Sequence, residues 1–283
     1  MAASGATVQL GGRLRVARHP DRAGAVRLTR TYLRVGIMNE MQYRINFVME
    51  VVQSVLQIGT ALVVLAIVFS HTDSLGGWSR NELLAVIGVY TLVRGLVKMF
   101  VQPNMERVVG EIREGKLDHA LIKPADSQLL VSIRDVRFWQ VADVLVGAIV
   151  VCVALVRLRA TVSAVDLAAF AVMLAVGSVS IYCFWLLLAT AAFWLVRINE
   201  VQELFDGLYR AGQYPVGIYP GWLKVGLAFL VPLAFAVTVP AEAATGRLTW
   251  VAGAVSVVMT ALLVVGSRWL WHRGLRRYDG ASA

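Results

Sequence analysis

The residues with the most chemical potential form one polar island, Gly110–Leu117, which reads GEIREGKL. Gly110, Gly115 and Lys116 stand at the spacing Gly-x-x-x-x-Gly-Lys. In a phosphate-binding loop that spacing presents backbone N–H groups and a Lys ammonium to phosphate oxygens, with a Ser or Thr hydroxyl next on the metal, a strand before and a helix after. Here Leu117 stands in the hydroxyl position and an apolar run precedes the island. The stretch therefore predicts no nucleotide site. The other candidate groups are scattered. His19, His71, His119 and His272 fall in separate segments without metal-ligand spacing. Cys152 and Cys183 sit in apolar runs, where Cys behaves as a small hydrophobe, so no disulfide is predicted. No His-Glu-x-x-His, Gly-x-Ser-x-Gly or paired intramembrane Asp is present. The expectation is a chain with no catalytic set, no metal site and no cofactor of its own.

A second group of polar residues lies inside apolar stretches, where an ionisable side chain marks function or pairing. Arg94 and Lys98 are one helical turn apart, and Asp143 lies at a similar depth in the next apolar run. An ion pair of Asp143 with Arg94 or Lys98 is expected, holding two helices together or meeting substrate. Glu50, Gln53 and Gln57 recur at i, i+3 and i+7. That stripe is expected to face protein or a pathway rather than lipid.

The elements that carry these residues are membrane spans. Of 283 residues, 58% are apolar and only 16% charged, against about 25% charged in soluble domains. The mean hydropathy is +0.67. The apolar residues come in blocks of about 20, the length that crosses a bilayer as helix, and no alternating ten-residue segments suggest a barrel. The reading is an all-α integral membrane protein with six transmembrane helices and short cytoplasmic amphipathic helices. The expected spans are Phe47–Ser70, Leu83–Val101, Phe138–Val156, Leu167–Val196, Leu223–Val239 and Trp250–Leu270. They form one transmembrane domain over 25–277, followed by a short tail at 278–283. Residues 1–24 are Arg-, Gly- and Ala-rich without an apolar run, and a disordered tail is expected.

Charge sets the orientation. Twenty of the 27 Lys and Arg residues fall on the side that holds both termini, and only Arg80, Arg157, Arg159 and Arg247 fall in loops on the other. Both termini are therefore expected in the cytoplasm of a multi-pass protein of the cell membrane. The +9 net charge is topological, faces anionic lipid, and calls for no nucleic acid.

The island is the end of an amphipathic helix. Met105, Val108, Val109 and Ile112 share one face, and Glu106, Arg107, Glu111, Arg113 and Glu114 the other. Gly115 is predicted to stop the helix in the left-handed conformation, with Lys116 near its negative end. A helix of this kind rests on headgroups or contacts a protein, and its three acids favour a protein partner. A second amphipathic helix is expected over Ala25–Arg44, with Arg27, Arg30 and Arg34 on one side.

The segment GEIREGKLDHALIKPADSQLLVSIRD resembles the cytoplasmic loop of membrane subunits of type-2 ABC exporters, in the branch with a separate ATPase chain and a loop of the form EIREGxLDxxLxKP. The resemblance runs from about Arg27 to Arg277 and includes the Tyr-Pro and Pro-rich stretches before the last span. It does not cover the first 24 residues, and Arg197–Arg210 is more charged than the family's span. The resemblance implies two permease subunits, identical or related, over two ABC ATPase subunits that hold the ATP and magnesium. It implies that ATPase motion enters through Met105, Val108, Val109, Ile112, Arg113, Glu114, Gly115 and Leu117. It also opens an alternative for the fifth span, in which 198–218 crosses and 222–239 is re-entrant. Hydropathy favours Leu223–Val239, because four charges near Glu200 would otherwise enter lipid. A stand-alone secondary transporter is the competing function, but no internal repeat supports it.

Overall fold

The structure, a computed structural model, describes residues 44–118, 126–158, 163–194, 210–227, 232 and 234–278. The predicted tail 1–24, all but the last residue of the helix expected at Ala25–Arg44, and the charges at Glu200, Glu203 and Asp206 lie outside the described residues.

Eight helices organise the described chain: α1 Arg44–His71, α2 Arg80–Arg113, α3 Ser127–Ser132, α4 Val141–Leu158, α5 Ala164–Ala191, α6 Gly221–Val225, α7 Ala234–Ala244 and α8 Trp250–Leu275. Five are long and apolar enough to cross a membrane: α1, α2, α4, α5 and α8. Local signals set their starts. Ser79 and Glu82 form a capping box at α2, and Ser163 and Asp166 repeat it at α5, each satisfying two backbone donors that the first turn leaves unpaired. Thr249 caps α8.

α2 is the axis of the bundle. Residues Leu83 to Gly95 are all buried. It packs on α4 at backbone contact, because glycines remove the side chains between them. A Cβ on Gly147 would lie 2.4 Å from Leu92 N, and one on Gly95 2.7 Å from Val144 N. Small residues at such crossings let membrane helices gain dispersion contact where no hydrophobic drive exists between them. α1 covers this pair loosely. Ile58 and Leu65 point inward, while Val48, Val52, Leu56, Val63 and Ile67 remain exposed, as a helix facing hydrocarbon requires.

Contacts of the described residues between Phe193 and Arg247 bear on the expected fifth span. Phe193, just after α5, packs on Trp271 and Tyr278 at the basic end of the bundle, with ring centroids 6.0 Å apart in each case. Ile218 reaches the opposite end, where its Cγ1 would touch a Cβ on Gly76 at 2.9 Å. α7 penetrates to mid-bundle, where Gly177 of α5 lets the Phe235 carbonyl approach to within 2.6 Å of a Cβ position. The chain then returns to the Gly76 end, where Arg247 donates to Gly77 O at 2.8 Å and Glu82 Oε2 at 3.0 Å and stacks on Trp78. Ile218 and Arg247 thus lie at the same end of the bundle. Leu223–Val239 is not one long helix, although its hydropathy suits a span. Pro232 interrupts it, the described pieces α6 and α7 are both short, and a broken helix is tolerated because α5 and α2 bury it. Among the described residues, five long apolar helices and the shorter α7 fit an architecture of about six spans.

Candidate functional site

The basic end of α2 carries the polar island. The helix does not stop at the bilayer-length mark. It passes through a π turn at Val97–Val101 and continues without a break to Arg113. The widened turn leaves the Met99 carbonyl to accept from Arg137 N at 3.0 Å. Such π turns are frequent at functional sites. At the far end Gly115 has φ +67°. Gly115 N donates to Ile112 O at 3.3 Å and Lys116 N to Glu111 O at 2.8 Å. That is the paired bonding of a Schellman stop, and it accounts for the glycine the spacing placed there.

Four braces fix this helix end to the 133–137 turn. Asn104 uses all of its amide: Nδ2 donates to Phe100 O and Asp135 O at 2.7 Å each, and Oδ1 accepts from Arg134 N and Asp135 N at 2.9 Å each. Arg134 grips Glu111 with both Nη atoms, at 3.0 and 2.8 Å. Arg107 joins Glu111 at 2.9 Å and Asp135 at 3.1 Å. Arg137 meets Glu106 at 2.8 Å. Bidentate Arg–carboxylate pairs add geometric specificity to charge, so the end of α2 and the start of α4 behave as one rigid piece. Leu117 N donates to Tyr278 Oη at 3.0 Å, which ties the same end to α8. Burial pushes the Tyr278 hydroxyl above its usual range.

A second brace joins α3 to α8. Asp126 accepts from Gln128 N and Leu129 N as the N-cap of α3 and pairs with Arg268 at 3.0 Å. Burial works to raise its carboxyl, but the backbone donors and Arg268 outweigh it and hold the group below the usual carboxylate range.

The residues expected to couple divide in a way the helical pattern leaves open. Met105, Val108, Val109 and Leu117 are buried in this chain's own core, and Ile112 packs half-buried against it. The apolar stripe therefore faces this chain's own core. Arg107, Arg113, Glu114 and Lys116 are exposed, and a Cβ on Gly110 would meet nothing within 4 Å. The outward surface is charged and of both signs.

Within the bundle, Asp143 pairs with Arg94 at 2.7 Å. Ser54 of α1 donates to the other carboxylate oxygen, so one buried acid joins three helices. Lys98 pairs with Glu50 instead, at 3.9 Å. Glu50 is buried, Gln57 half-buried and Gln53 exposed, so the three do not share one environment. The inward row is Glu50, Ser54 and Ile58, at spacings of four. Ser54, Asn104 and Tyr278 are site residues that sequence reasoning missed. Only Ser54 left a signal, one turn beyond Glu50. Among the described residues no group of His, Cys, Asp and Glu could hold a metal ion.

A family model described as ABC-2 family transporter protein matches residues 55–282. No curated protein and no solved structure matches the chain.

Proposed function

We propose a function from the premise that this chain belongs to the ABC-2 family of transporter proteins. It is a membrane permease component of an ABC transporter, a multi-pass subunit rather than a catalytic one. Beyond that coarse identity, our reading is an exporter permease of the branch with a separate ATPase chain. Its basic end, with both termini, faces the cytoplasm of the cell membrane. Two permeases, identical or related, stand over two ABC ATPases that bind the ATP and magnesium. The exposed Gln53 amide on the hydrocarbon-facing side of α1 supports a second permease or a pathway there, since an amide without a hydrogen-bond partner costs several kcal/mol in hydrocarbon.

ATPase motion enters through the end of α2, at Gly110, Arg113, Glu114 and Lys116. One observation carries this reading: α2 is a single 34-residue helix whose exposed end is braced to α4 and α8. A push on Glu114 is then carried along one continuous helix toward Arg94. Met105, Val108, Val109 and Leu117 serve as the internal seat of that lever.

Cysteine cross-linking tests this. Glu114→Cys, in membranes of the native host, is expected to cross-link to an ABC ATPase subunit and to lose that yield when ATP is trapped. Cross-linking only to lipid-exposed or unrelated chains would contradict the assignment.

A further inference from the structure

The end of the bundle opposite the island is poor in basic residues, yet two of its arginines line one cavity. The cavity has a volume of about 320 Å³ and lies between α1, α2 and α4. That volume falls within the range of about 300–1,000 Å³ typical of small-ligand sites. Its rim holds Arg80 and Arg157, and its wall holds Leu62, Leu65, Ile149 and Val153. The two arginines are placed by the fold. Arg80 opens α2 after the Ser79 cap. Arg157 lies in the last turn of α4, and its carbonyl accepts from Asn81 Nδ2 at 3.5 Å. Among the described residues neither guanidinium forms an ion pair, and no carboxylate lines the cavity.

The shape follows from how α1 packs. Ser54 clamps α1 to Asp143, and toward the Arg80 end the helix leaves space beside Leu62 and Leu65. Leu62, Ile149 and Val153 are all exposed, so the cleft opens sideways into hydrocarbon. From Ile149 to Arg157 the apolar wall runs eight residues along α4, about 12 Å at 1.5 Å per residue.

We propose that this cleft is a site for an acidic phospholipid of the bilayer, with its headgroup phosphate between Arg80 and Arg157 and an acyl chain along Leu62, Leu65, Ile149 and Val153. Planar guanidinium forks match phosphate oxygens bidentately. Two unneutralised cations select a headgroup of net negative charge over a zwitterionic one, whose ammonium they repel. A water-soluble anion would leave the apolar wall unfilled. The bound chain wedges α1 against α4 and so sets how far α1 stands from the Arg94–Asp143 layer. The proposal stands on the cavity alone and is independent of how ATPase motion enters the chain.

Native mass spectrometry of the full-length protein, purified with its accompanying subunits and titrated with phosphatidylglycerol or phosphatidylcholine, tests it. Phosphatidylglycerol is expected to be retained at one per chain and phosphatidylcholine not. The double variant Arg80→Gln/Arg157→Gln is expected to weaken phosphatidylglycerol at least tenfold, a difference of about 1.4 kcal/mol. Val153→Trp, at an exposed wall position, fills the cleft without touching a cation and is expected to lower retention as well. Equal retention of both lipids would overturn the proposal. So would unchanged phosphatidylglycerol affinity in both variants. Displacement of the lipid by millimolar inorganic phosphate would also overturn it, in favour of a free-anion site.

Discussion

Arg94 places Nε and Nη2 on the same oxygen of Asp143, at 3.1 and 2.7 Å, and Asp143 has no exposed surface. The second oxygen is taken by Ser54. A buried acid held this way is costly to strand and cheap to remove together with its partner. Deleting one member of such a pair costs about 3–5 kcal/mol, whereas replacing both by apolar groups is often neutral. Arg94→Met alone is therefore expected to lower the melting temperature in detergent sharply, and Arg94→Met with Asp143→Leu to recover most of it. A double variant no more stable than either single one would show that the charge layer does more than hold helices.

The α2–α4 crossing gives a steric prediction. Gly147→Ala puts a Cβ 2.4 Å from the Leu92 backbone, and neither helix can yield locally. Loss of folded protein in size-exclusion chromatography is expected. Gly59→Ala on α1, where a Cβ meets nothing within 4 Å, is expected to elute as the parent does.

The end topology is open to labelling. Cysteines introduced at Ile218 and Thr245 are expected to react with an impermeant reagent from the same side as one at Asp73, and a cysteine at Glu114 from the opposite side. Labelling of Ile218 and Thr245 from opposite sides would favour Leu223–Val239 as a crossing. Hydropathy alone does not decide that stretch, because an apolar helix buried against α5 and one facing lipid have the same composition. Only Pro232 and Pro240, and the contacts of Ile218 and Arg247, separate the two cases. The other spans were legible because each is a long unbroken apolar run, as Val141–Leu158 shows. Periodicity likewise put Met105, Val108 and Val109 on one face. It did not reveal that the cover is this chain's own core, since burial within a chain and burial against a partner leave the same pattern. The Asp143 pairing was legible from Arg94 and Lys98, but the division between Asp143 and Glu50 depends on helix rotation, which spacing alone does not set.

Acid should loosen the α3–α8 brace. Asp126 has its carboxyl held below the ordinary value, so its stabilisation is full above the unfolded value near pH 4 and is lost as pH falls through the lower folded value. Asp126→Asn is expected to lower the melting temperature at pH 7 and to flatten its decline on acidification. An unchanged acid profile would mean that Arg268 contributes nothing through Asp126.

Gly115 and Lys116 can be told apart. Gly115→Val forces a branched residue to φ +67°, a conformation that costs about 1–3 kcal/mol away from Gly, and the helix end is expected to fray in hydrogen exchange. Lys116→Ala removes a solvent-screened charge that pairs with the equally exposed Glu114, and is expected to change little. The isolated chain is expected to bind no ATP. Saturable micromolar binding that disappears in Lys116→Ala would contradict this.

The central claim is that the exposed end of α2 receives ATPase motion, and co-purification with a Gly110→Trp variant measures it most directly. The new side chain starts in open space, so the fold is preserved while the outward surface is blocked. The account predicts that parent protein brings down an ABC ATPase from its host and that Gly110→Trp, at equal expression and equal melting temperature, does not. ATPase recovered in full with Gly110→Trp would contradict it.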